Sequence, residues 1–180
     1  MDVAWRGRAI PGTIGLLFGG LWGALGASAL PAPWRVSGVV LAGLVTVVLA
    51  LGLWRKPGEL GAAPGMFRRT PYLVAVGLEV AAIAVAAPLL RRYGLSSFFN
   101  QAVGVIVGLH FLGLWRATRL SRFLWIVAGM CGVSLAAMAL PETWRSLGVR
   151  DAVTGAGNAL VLWIGAGRAP SLGRLTPARL

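Results

Sequence analysis

Apolar residues run through this chain in six unbroken stretches, with neither the alternation of a half-buried strand nor the single stripe of a soluble helix. A window of about 19 residues places the stretches at 13–30, 36–54, 72–90, 97–115, 123–140 and 149–167. At the helical rise each reaches about 27–29 Å, close to the hydrocarbon thickness of a bilayer. Backbone in lipid must satisfy itself, which leaves only helices and closed barrels, and segments that do not alternate disfavour the barrel. The pattern therefore predicts an all-α fold, a polytopic transmembrane bundle of six helices.

Composition agrees, since 57% of the 180 residues are apolar and 12% charged, where average globular usage is roughly a quarter charged. That excludes a disordered chain, and a single cysteine, Cys131, excludes a disulfide-stapled secreted module. Residues 1–168 read as one membrane domain and 169–180, with Pro170 and Pro177, as a flexible cytoplasmic tail.

The formal charge of +12 is topological, because the arginines sit between the stretches. The N-terminus, the second and fourth loops and the C-terminus collect Arg6, Arg8, Arg55, Lys56, Arg68, Arg69, Arg116, Arg119, Arg122, Arg168, Arg174 and Arg179. The other side has Arg35, Arg91, Arg92, Arg145 and Arg150. Positive residues stay inside, so both termini are expected in the cytoplasm, here across a bacterial inner membrane. No basic patch with interleaved aromatics stands apart from the span flanks, and nucleic acid is not an expected partner. Trp34, Trp54, Trp115 and Trp144 fall at span ends, as an interfacial belt would; Trp22, Trp125 and Trp163 lie further in, where core packing is expected. Arg6, Arg8 and the small residues Ala27-Ser28-Ala29 resemble a secretory signal, but the first stretch is longer than a usual signal core.

The most specific feature is a repeat. Residues 29–38 and 139–148 share the pattern ALPxxWRxxG. Each copy closes one stretch and opens the next, with proline ending the helix. Ala87-Pro88 followed by Arg91-Arg92 is a weaker middle copy, and Gly52-Leu53-Trp54-Arg55 recurs as Gly113-Leu114-Trp115-Arg116. Three helical hairpins with approximate threefold sequence symmetry are the economical expectation. Gly15, Gly19 and Gly23, and likewise Gly104 and Gly108, form small-xxx-small stripes that let helices approach closely, with packing inside the chain expected ahead of a homo-oligomer.

Glu79 is the one acid well inside a stretch, and an ionisable group there is a functional-site hypothesis. Counted from the cytoplasmic edge, it lies about 10 Å deep and His110 about 8 Å, so antiparallel neighbours would bring them together to pass a proton or to fix helix register. Asn100, Gln101 and Asn158 are second-tier polar candidates, and Arg150 with Asp151 an interfacial ion pair at the outer mouth. One histidine and one cysteine supply no protein-only zinc site and no bis-His haem, so no metal or cofactor is expected. No nucleotide-loop, metalloprotease or nucleophile-elbow pattern occurs, and an enzyme is not expected.

The run Ile106-Val107-Gly108-Leu109-His110-Phe111-Leu112, preceded by a Glu-bearing stretch, resembles a loose group of small bacterial polytopic membrane proteins. The likeness covers residues 72–116 and departs at Gly113-Leu114-Trp115, where the group has a Pro-Leu-Ala step. It implies the same architecture, transfers no activity, and makes Glu79 and His110 the pair to test. The expected function is a small transporter or a protein handling ions or protons at a polar site in the bundle. The alternative is a scaffold or accessory subunit that binds other membrane helices.

Overall fold

A computed structural model describes residues 3–55, 66–144 and 148–167, which form six α-helices with no strand among them. They are α1 (Val3–Ser28), α2 (Ala32–Arg55), α3 (Thr70–Arg92), α4 (Phe99–Thr118), α5 (Arg122–Met138) and α6 (Val149–Gly167). The loop at 57–64, Arg145 and the predicted tail at 169–180 lie outside the described residues. Three segments, Ala32–Leu53, Thr70–Arg92 and Ser96–Thr118, are long and apolar enough to cross a membrane. The apolar parts of α1 and α5, Gly12–Ser28 and Arg122–Met138, are shorter, and α6 carries Arg150 and Asp151 at its start.

The turn at the proline recurs in both copies of the repeat. Proline lacks a donor and pushes the residue before it out of the helical region, so α1 stops short of Pro31 and α5 short of Pro141. The Leu30 N–H donates to the Ala27 carbonyl at 3.1 Å and the Leu140 N–H to the Ala137 carbonyl at 3.3 Å. Trp34 and Trp144 then donate to Pro31 and Pro141, both at 3.0 Å. The copies diverge at their glycine, since Gly38 lies inside α2 against Ala27 whereas Gly148 adopts φ +68° and opens α6. The middle copy departs further: Pro88 sits within α3, which continues to Arg92.

The three hairpins α1–α2, α3–α4 and α5–α6 form, but the threefold symmetry of the sequence does not extend to their packing. The principal interfaces run in one antiparallel row, α2–α1–α6–α5–α4–α3. No interface of similar extent closes α2 onto α3. Small residues explain the difference. A methyl group on Gly19 would lie 2.6 Å from Trp163 Nε1, and one on Gly26 would lie 2.8 Å from Gly155 Cα, so α1 and α6 approach to backbone contact. Gly43 and Gly52 of α2 and Gly77 of α3 have nothing within 4 Å.

Burial follows the row. The core is built from Trp22, Leu114, Phe123, Ile126, Met130, Ala159 and Leu162, supplied by α1, α4, α5 and α6. At the ends, α3 buries no residue and Ala42 is the one buried residue of α2 among its described side chains. Trp22 and Trp163 pack inward as expected. Trp125 does not: it is 77% exposed, because it stands in the first turn of α5, one turn from Arg122, and belongs with the helix-end tryptophans.

Candidate functional site

Glu79 and His110 come together. Glu79 Oε2 lies 2.8 Å from His110 Nδ1 in the seam between α3 and α4, with the side chains 21% and 11% exposed. The approach is a close carboxylate–imidazole contact that lacks the alignment of a hydrogen bond. The seam is close at this level because Gly113 admits Ala75, and a methyl group there would also lie 2.8 Å from the Pro71 carbonyl oxygen. Aromatic rings frame the imidazole: Tyr72 meets it edge-on at 5.4 Å and Phe111 at 5.6 Å. Phe67 continues the series on one side of Tyr72 and Phe123 on the far side of Phe111.

The position of the pair differs from expectation. Instead of lying inside the bundle it sits at the edge of the row, since α3 packs principally on α4. Gln101 and His110 are nine residues apart on α4, two and a half turns, and so project from opposite sides of the helix. The side facing α5 and α6 carries Gln101, and there the structure assembles a second polar cluster.

This cluster is fully buried, with Gln101, Ser134, Thr154 and Asn158 each at 0% exposure. The Gln101 amide donates to Asp151 Oδ1 and to Thr154 Oγ1, both at 3.0 Å. The Thr154 hydroxyl donates to the Arg150 carbonyl at 2.9 Å, and the Asn158 amide to Ser134 Oγ at 3.3 Å. The amide oxygens of Gln101 and Asn158 have no partner, and an unpaired acceptor removed from water costs about 1–3 kcal/mol. Gly104 allows the closeness, because a side chain there would strike Ser134 Oγ and lie 2.7 Å from Asn158 Nδ2.

Among the second-tier candidates, Gln101 and Asn158 are thus core residues, whereas Asn100 is exposed and joins neither cluster. Arg150 and Asp151 are not surface residues pointing at each other: neighbours in a helix diverge. Arg150 is 3% exposed, donates to the Leu140 carbonyl at 2.9 Å and lies 4.5 Å from the Phe98 ring centre, while Asp151 accepts from Gln101. The glycine stripes serve packing within the chain, Gly15 against Ala166, Gly19 against Trp163, Gly23 against Ala42 and Ala159, and Gly108 against Met130 and Cys131. Sequence reasoning missed Thr154 and Ser134 as members of the cluster. A signal for Thr154 existed, because 151, 154 and 158 share one helical face.

Among the described residues no group of three or more His, Cys, Asp or Glu gathers where it could hold a metal ion. Comparison of the chain with protein-family models, curated proteins and solved structures finds no match in any of the three. The class the structure itself defines is an all-helical protein with three helices long and apolar enough to cross a membrane.

Proposed function

We propose that the chain is a six-span protein of the bacterial inner membrane, both termini cytoplasmic, that uses Glu79 and His110 to take up and release a proton while moving an ion or small solute. The group of small polytopic proteins it resembles is consistent with that architecture. The observation that carries the reading is the 2.8 Å carboxylate–imidazole contact in the α3–α4 seam.

The chemistry follows from charge counting. With one proton between them, the two groups are either a neutral acid beside a neutral imidazole or an ion pair, and in both cases the net charge is zero. A second proton leaves +1 and loss of the last leaves −1, each costly in a medium of low dielectric unless a counter-charge accompanies it. Such a pair couples proton uptake to movement of another charge. The test is proton flux into proteoliposomes under an imposed pH gradient, read by an enclosed pH dye. Glu79→Gln and His110→Ala abolish flux and leave helicity and elution volume intact; wild-type flux in both variants overturns the proposal.

A second reading, a scaffold for other membrane helices, is favoured by one specific feature, the bare α3, which buries none of its residues. Its binding surface would be α3 or α2. The glycine stripes are occupied within the chain, so Gly19→Leu tests folding and not partner binding.

A further inference from the structure

We propose that the end of the row where α3 begins and α4 turns into α5 binds the phosphate of an anionic phospholipid headgroup, an inference that rests on the membrane reading above. Arg68, Arg69, Arg116 and Arg119 are all exposed at this end. Arg69 donates to the Ala117 carbonyl, which ties the start of α3 to the last turn of α4.

Two of the local arginines stand on aromatic rings. The Arg119 guanidinium lies 5.4 Å from the Trp115 ring centre and that of Arg122 lies 5.0 Å from Phe123. Stacking of this kind orients the Arg119 guanidinium by its flat face, so that its in-plane donors can meet two oxygens of one phosphate. Arg119 also holds φ +60°, the one positive value outside glycine among the described residues, so the α4–α5 turn presents this side chain by way of an uncommon backbone conformation.

Among the described residues no acid stands at this end. Neither α3 nor α5, which both begin here, has an acidic residue in its first turn or a side-chain cap at its N-terminus. Both helices therefore turn the positive ends of their dipoles toward the same region. Along α3 the first acid is Glu79, ten residues or about 15 Å inward from Arg69, and it is engaged by His110. Four exposed guanidinium groups and two helix N-termini call for an anion, and at headgroup depth the abundant anion is lipid phosphate. Trp115, which supports Arg119, suits the same depth.

The experiment is native mass spectrometry of the full chain released from micelles holding equal phosphatidylglycerol and phosphatidylcholine. The wild type retains phosphatidylglycerol preferentially. In the triple variant Arg68→Gln, Arg116→Gln, Arg119→Gln the preference falls by roughly fivefold or more. The triple variant Arg35→Gln, Arg91→Gln, Arg92→Gln removes the same charge from the opposite end and keeps the preference. Equal retention of the two lipids by the wild type, or an equal fall in both variants, overturns this proposal alone. Displacement of the lipid by an equal concentration of inorganic phosphate assigns the arginines to a free anion and also overturns it. A chain that fails to float with phosphatidylcholine vesicles overturns both this proposal and the membrane reading.

Discussion

Gly26 and Gly155 meet backbone to backbone where α1 crosses α6. The contact lies in the largest of the helix–helix interfaces, the one that joins α1 to α6. Any side chain at either position must push the helices apart. Gly155→Leu is expected to destabilise by about 1–3 kcal/mol, measured by thermal unfolding in detergent micelles. Gly77→Ala and Gly132→Ala, with open space around them, should be neutral or stabilising by up to about 1 kcal/mol. An equal effect at all three sites would contradict the crossing.

Gly94 and Gly148 share a left-handed backbone, φ +69° and +68°, and differ in surroundings. A side chain on Gly148 would collide with the Ala29 carbonyl, whereas Gly94 has nothing within 4 Å. Alanine at Gly94 should cost about 1–2 kcal/mol from the backbone conformation alone. Alanine at Gly148 should cost visibly more, and the difference in unfolding midpoint reads the contact between the two copies of the repeat.

The buried amide cluster predicts a hierarchy among polar substitutions. Gln101→Leu removes the donor to Asp151 and Thr154 and should destabilise by about 1–3 kcal/mol. The neighbouring Asn100→Leu, at an exposed position, should stay within about 0.5 kcal/mol. A double-mutant cycle of Asn158→Leu with Ser134→Ala should return a coupling near 0.6 kcal/mol, the size typical of hydrogen bonds between membrane helices.

At Glu79 and His110 stability and function can be separated. Replacing one partner by an apolar residue leaves the other ionisable and unpaired in the seam, whereas replacing both yields an apolar α3–α4 contact, often neutral or stabilising. Glu79→Leu alone should therefore unfold at a lower temperature than Glu79→Leu combined with His110→Phe. Proton flux should be absent from both. Recovery of stability without recovery of flux is the signature of a working pair; flux in the double variant would assign the pair to register alone.

The six helices, the approach of Glu79 to His110 and the matching turns at Pro31 and Pro141 were legible in the chain, because each depends on local terms. Unbroken apolar runs specify helices, proline stops them, and depth along antiparallel helices follows from counting residues at a fixed rise. Short turns then make sequential helices neighbours, which is all that the Glu79–His110 contact needs.

What only the tertiary structure decided is how the hairpins sit beside one another. Helices that are apolar over most of their surface give little angular information, so nothing local says which face of α4 meets α3 and which meets α5 and α6. That choice comes from the fit of small against large surfaces, Gly19 on Trp163, Gly104 on Ser134 and Gly113 on Ala75. It arranges the helices in an open row, places Glu79 and His110 at its edge, and buries Gln101, Thr154 and Asn158 at its centre.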